Sequence, residues 1–423
     1  MTFDNLTRDQ IEQLQREQES AYEALQAAGL TLDITRGKPS PEQLDLSNAM
    51  LSLPGDDFRD ASGIDTRNYG GLTGLIELRQ IFAEILQAPV EQVLAADNAS
   101  LALMHDNLVF ALLHGVPGSD RPWSKEETVR FVCPSPGYDR HFALCEALGI
   151  EMITVDMLDD GPDMAQVRAA VADPSVKGMW LVPTYANPTG AVVSEAIAAE
   201  LAAMDTAAPD FRILWDNAYA VHHLTAEHTK TADILGLAAA SGHPDRPLVF
   251  ASTSKITFAG AGVSFLAGSP DNVAWYQRHV SKRTIGPDKV NQLRHVRHLG
   301  DVNGVHALMD AHRAILEPKF AIVLDTLQTR LAAYDVATWT TPKGGYFVSL
   351  DVVDGTASRV VALAKEAGIA LTPAGSSFPY GRDPRDRNIR IAPSFPSTDD
   401  LATAMDGLAT CVLLAATEKL LAG

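Results

Sequence analysis

The chain has 423 residues, more than the roughly 250–300 that a single hydrophobic core organises, so two domains are expected. With 46% hydrophobic and 21% charged residues it reads as globular; no apolar run nears the ~20 residues that span a bilayer, and the polar start, Thr2 to Arg16, lacks a signal-peptide pattern. A net charge of −19 argues against a nucleic-acid partner, and three cysteines without metal-like or disulfide spacing, Cys133, Cys145 and Cys411, point to packing roles in a reducing cytosol.

Thr7 to Gly29 predicts a helical arm: Thr7 and Gln10 make a capping box, Ile11, Leu14, Gln18, Tyr22 and Leu25 share a face, and Gly29 ends it. In the following Thr-Arg-Gly-Lys-Pro, Arg36 and Lys38 flank Gly37, which makes either an exposed turn or a carboxylate-binding lip. Arg67 to Gly74 packs three glycines around Tyr69, suggesting close backbone approach, before a helical pattern from Leu75 to Leu86. After Glu91 to Asn98, Ala99 and Ser100 open a helix marked by Leu101, Met104, Leu108 and Leu112. Free N–H groups at such a start suit a phosphate, although every helix has such a start.

Strand-like and helix-like segments then alternate, the pattern of an α/β domain with a mostly parallel sheet. Val129 to Cys133, Met152 to Val155, Met179 to Pro183, Phe211 to Trp215, Leu248 to Ala251 and Val263 to Ala267 read as buried strands whose C-terminal ends should share one edge. Ligands bind at that edge in such sheets, so the residues after each strand matter most. Tyr138, after Pro134-Ser135-Pro136-Gly137, suits stacking on a flat ring or packing in the core. Asn187 sits in a strong turn, where its amide either serves the turn or donates to a ring oxygen. Asp216 closes an apolar strand; it either caps the next segment or meets a cation such as a protonated pyridine nitrogen.

Lys255 ends the strand Leu248 to Ala251 after three hydroxyls. It is either a solvated loop lysine or, if desolvation lowers its pKa, a nucleophile that bonds an aldehyde cofactor, with Ser252 near that cofactor's phosphate. Val280 to Arg297 carries Lys282, Arg283, Lys289, Arg294 and Arg297, either a solvated face or a patch for an acidic substrate or second subunit. A long helix is predicted over roughly Val305 to Tyr334, with a kink or break at Pro318. Gly344 to Leu350 and Asn388 to Pro393 read as strands around a helix from Ser358 to Ala367. Arg390 should point away from Ile389 and Ile391, toward a carboxylate if that face is a cleft and toward solvent otherwise.

Six motifs in this order, Tyr-Gly-Gly at Tyr69, Pro-Ser-Pro-Gly-Tyr138, Asn187-Pro-Thr-Gly, Asp216-Asn-Ala-Tyr, Ser-Thr-Ser-Lys255 and Arg390, resemble the fold-type I pyridoxal-phosphate aminotransferases over nearly the whole chain. Asp-Ile-Thr-Arg-Gly-Lys-Pro, Asn-Ala-Ser-Leu-Ala-Leu-Met-His-Asp and Lys-Ile-Thr-Phe-Ala-Gly-Ala-Gly-Val-Ser-Phe look like a bacterial aspartate aminotransferase branch. The resemblance implies a mostly parallel seven-stranded sheet in a large domain, residues 49–310, a smaller α/β domain at 311–423, and an arm at 1–48 completing the small one. It implies pyridoxal 5′-phosphate as cofactor and ping-pong transfer from L-aspartate to 2-oxoglutarate, in a cytoplasmic homodimer. Alanine or an aromatic amino acid as donor, or a cofactor-binding sensor without turnover, are its alternatives.

By the same resemblance Lys255 carries the cofactor and moves the substrate proton, Asp216 keeps the pyridine nitrogen protonated, and Asn187 and Tyr219 bond the ring oxygen. Tyr138 stacks on the ring, while Ser252, Ala99, Ser100 and Leu101 hold the phosphate with Tyr69 of the other subunit. Arg390 takes the α-carboxylate; Arg36, Lys38, Lys282 or Arg283 are candidates for a second carboxylate. Where many relatives set a phosphate-binding arginine, about eight residues past the lysine, this chain has Val263.

Overall fold

The computed structural model describes residues 6–422, so Thr2 to Asn5 of the polar start lie outside them. The capping box closes as read: Thr7 Oγ1 accepts from the Gln10 N–H at 3.3 Å, Gln10 Oε1 accepts from the Thr7 N–H at 2.8 Å, and the helix runs Arg8–Ala27. Its buried face holds Leu14 and Tyr22, and the Tyr22 hydroxyl donates to the Leu363 carbonyl at 2.9 Å, which docks the arm on the C-terminal part of the chain.

Seven strands form the expected sheet, in the order Val93–Ala95, Ser264–Ala267, Pro247–Ser252, Arg212–Asp216, Val176–Leu181, Arg130–Ser135 and Glu151–Leu158, with a two-residue eighth at Gly161–Pro162. From Pro247–Ser252 to Glu151–Leu158 every pairing is parallel. Ser264–Ala267 is antiparallel to both neighbours, so it starts at the edge where the others end, which corrects the expectation that all six predicted strands finish there. Val93–Ala95 is a strand that three residues were too few to signal; it runs with the parallel set and delivers Asp97 to Ala99 to the same edge.

The sheet is buried on both faces, and alternate residues enter separate cores. Val132, Ile213, Trp215, Val249 and Ala251 face one side; Phe131, Cys133, Leu214, Leu248 and Phe250 face the other. A further core gathers the arm and the C-terminal residues, around the three-stranded antiparallel sheet Ala337–Trp339, Val348–Val352 and Asn388–Ile391. The helix Val302–Leu331 joins them: Val305 and Met309 belong to the sheet core, Leu316 to Leu331 to the other.

Of the kink or break predicted at Pro318, the break does not occur: the helix runs on through it. Proline removes one backbone donor, but Leu316 and Phe320 are buried on either side of it, and Lys319 Nζ donates to the carbonyls of Ser394 and Pro396 at 3.0 and 2.7 Å. The last helix, Thr398–Ala422, has the length and composition to cross a membrane, which a search for uninterrupted apolar runs does not detect. Its residues from Leu401 to Thr417 are largely buried against the arm and the long helix, so it reads as a core helix.

Candidate active site

Asp216 lies on the Leu214 face of its strand and is 2% exposed. Its Oδ2 meets His141 Nε2 at 3.0 Å, while Oδ1 has no hydrogen-bond partner. His141, equally buried, stacks on Trp180 at 4.2 Å and 7° and lies 4.9 Å from the Tyr138 ring, edge to face. A buried carboxylate oxygen without a donor is costly unless a ligand supplies one, and a protonated ring nitrogen meets that need. The helix-capping alternative for Asp216 therefore falls away.

A cavity of about 390 Å³ opens beside it, lined by Arg36, Gly37, Tyr138, Asn187, Tyr219, Lys255 and Arg390 among the predicted residues. Lys255 Nζ lies 4.9 Å from the Tyr219 ring centroid. Burial lowers the Lys255 ammonium pKa, and the charge of Asp216 offsets part of that, so this is no ordinary surface lysine. The backbone behind it is fixed, because Ile256 O accepts from His312 Nε2 at 3.0 Å and His312 Nδ1 accepts from Gln43 Nε2 at 2.9 Å. Burial pushes the Tyr138 hydroxyl up to about 12, with the charges of Asp216 and Asp139 adding to it, and burial also raises Tyr219 well above the usual phenol value.

Arg390 stands opposite Ser349 on the central pairing of the small sheet and is buried, not solvated. Its Nη1 reaches Asp139 Oδ1 at 3.1 Å and Asn187 Oδ1 at 3.4 Å, Nη2 reaches Thr372 Oγ1 at 3.4 Å, and Nε has no partner. Its guanidinium carbon lies 5.0 Å from the Phe347 ring centroid. Gly37 is required at the lip, since a Cβ there would fall onto that same ring.

The phosphate candidates gather at the sheet edge outside this cavity's lining. Ala99 caps the helix Ser100–His114 with no side-chain hydrogen bond, and Ser252 Oγ accepts only the long 3.4 Å bond from the Ser254 N–H. A Cβ on Gly262 would come within 2.9 Å of Asn98 O and 3.3 Å of Ser254 Oγ, so the loop after Lys255 packs against the loop before that helix. Val263 is buried, its N–H donating to Thr253 Oγ1 at 2.9 Å.

Other predicted residues are not brought into the Lys255 cavity. Lys38 Nζ sits 3.8 Å over the Phe395 ring. Arg283 bonds Asp97 and Asp106, each at 2.8 Å, and lines a separate cavity of about 440 Å³ with Asn98 and Gly262. Lys289 and Arg294, read as part of a solvated face or an external patch, instead hold the carbonyls of Asn68, Gly70 and Leu53. Tyr69 is 83% exposed. The sequence reading missed Asp139, Arg140 and His141, although all three directly follow Tyr138 at a strand end; Arg140 also lines the cavity.

The profile of the aspartate amino-transferase family matches residues 6–423. The chain belongs to that family. A protein of Mycolicibacterium smegmatis named as an aminotransferase is 61% identical over 425 residues, covering 100% of this chain and 99% of its own length. The aspartate aminotransferase of Corynebacterium glutamicum is 58% identical, over 94% of this chain and 92% of that protein. The crystal structure of an aspartate transaminase from the same organism aligns with a TM-score of 0.97 and 55% identity, covering 99% of both chains. The architecture is thus that of the fold-type I aminotransferases, and this family member is a transaminase.

Proposed function

We propose that this aminotransferase exchanges the amino group between L-aspartate and 2-oxoglutarate, giving oxaloacetate and L-glutamate, with pyridoxal phosphate held at Lys255. The observation that carries this reading is the unpartnered Asp216 Oδ1, buried within charge range of Lys255 and Tyr138. When bound, the cofactor supplies an aldehyde that accepts amino groups and a ring that withdraws electrons from the substrate Cα.

Asp216, oriented by His141, would keep a proton on the ring nitrogen. Lys255, its pKa lowered by burial, takes the Cα proton and returns it elsewhere in the same site, so both halves of the exchange share one base. Asn187 and Tyr219 would donate to the ring oxygen, and Tyr138 would cover the ring. Ala99, Ser100, Leu101 and Ser252 would serve the phosphate. Arg390, with an unused Nε–H, receives the α-carboxylate. Arg36 and Arg140, two exposed cations at the cavity, favour a second carboxylate on the substrate over alanine or an aromatic side chain.

The working unit we infer is a homodimer: the large aromatic side chain of Tyr69 is 83% exposed in the single chain, and would complete the phosphate site of the partner subunit. The domains divide as 1–48 with 311–423 against 49–310, the second boundary lying inside the helix Val302–Leu331. Buried free thiols at Cys133, Cys145 and Cys411 suit a reducing cytoplasm.

A spectral titration tests the reading. Aspartate should bleach the visible band of the cofactor-loaded protein and 2-oxoglutarate restore it. Bleaching by alanine or phenylalanine but not aspartate would move the substrate, and a band that no amino acid alters would make the chain a sensor.

A further inference from the structure

Lys289 is the first residue of the helix Lys289–Leu299, where the helix dipole disfavours a cation, and it is only 6% exposed. Nothing in its own helix accounts for a buried ammonium there. Its Nζ donates to the carbonyls of Asn68 and Gly70, both at 2.6 Å, the two residues that flank Tyr69. The Tyr69 N–H is taken by Asn68 Oδ1 at 2.8 Å, so the polar backbone around this tyrosine is tied down while its side chain projects, 83% exposed. Gly70 and Gly71 adopt φ of +99° and +75°, and a Cβ on Gly286 would come 2.5 Å from Gly70 O.

We propose that Lys289 is a positioning residue acting across the subunit boundary: it fixes the arch that presents Tyr69 to the cofactor phosphate of the partner subunit. This rests on the homodimer proposed above. The lysine touches neither substrate nor cofactor, and its effect passes through the Tyr69 hydroxyl.

Hybrid dimers separate this role from a structural one. Lys255→Ala and Lys289→Met subunits carrying different tags are co-expressed and the mixed dimer isolated. In it, the Lys255-bearing site receives Tyr69 from the Lys255→Ala subunit, whose Lys289 is intact. Cofactor retention is read as the amount that borohydride fixes on lysine after timed dialysis, which counts only Lys255 sites.

The Lys289→Met homodimer should lose cofactor about tenfold faster than the unsubstituted dimer, the scale of one hydrogen bond to a charged group. The mixed dimer should retain it as the unsubstituted one does. In a Tyr69→Phe background Lys289→Met should have no further effect. A mixed dimer that loses cofactor as fast as the Lys289→Met homodimer, or an undiminished effect without the tyrosine hydroxyl, would overturn the proposal. If Lys289→Met does not fold, Lys289→Arg, which still donates but displaces the arch by its greater length, is taken through the same hybrid. Sedimentation of the unsubstituted protein as an active monomer would overturn the dimer itself, a failure distinct from an unrescued hybrid.

Discussion

Replacing Arg390 with lysine keeps the positive charge and removes the planar fork. The guanidinium is held by one bond of 3.1 Å to Asp139 and two of 3.4 Å to Asn187 and Thr372, while Nε is free, so the group is oriented by its neighbours without being saturated by them. An ammonium forms at most one of the two parallel bonds that a fork makes to a carboxylate, and a hydrogen bond to a charged group contributes about 1.5–3 kcal/mol. At about 1.4 kcal/mol per factor of ten, kcat/KM for aspartate should fall about 10- to 150-fold. Because the α-carboxylate is common to both substrates, the loss should appear as a parallel rise in KM for aspartate and 2-oxoglutarate in a coupled assay for oxaloacetate. A variant whose KM values stay put while kcat alone drops would refute the assignment of Arg390 to the carboxylate.

Lys255→Ala should abolish borohydride-fixable cofactor and lower turnover by at least about a hundredfold, the usual worth of a positioned acid–base group; full activity in a coupled assay would remove the lysine from the mechanism. Gly37→Ala pushes a Cβ into the Phe347 ring beside Arg390, so it should raise KM for both substrates more than it lowers kcat, which steady-state kinetics will show. His295 and His312 are held at about 4 by burial, so in the fold both stay neutral while the unfolded chain takes protons near 6.5. The unfolded state thus binds more protons, and stability is lost as pH falls from 6.5 toward 4, about 2 kcal/mol per histidine at pH 5. Urea denaturation at pH 7 and pH 5 should show that loss, and His295→Gln should lessen it.

Much of this protein was legible in the chain itself. The capping box at Thr7, the alternating apolar strands and the order of residues after each strand end follow from local spacing, since helix caps and pleats are made by neighbours in sequence. Those rules marked Lys255, Asp216, Tyr138 and Asn187 as residues arriving at one edge and left Arg390 on a separate strand, and the cavity gathers all five but Asp216, which lies just behind it. Contacts between distant segments carry no such periodic mark. Only the packed fold set His141 on Asp216 across 75 positions, turned Ser264–Ala267 antiparallel, carried the long helix through Pro318 and drew Lys289 under the Tyr69 arch. Each of these rests on a contact with another segment of the packed chain, which local pattern cannot encode.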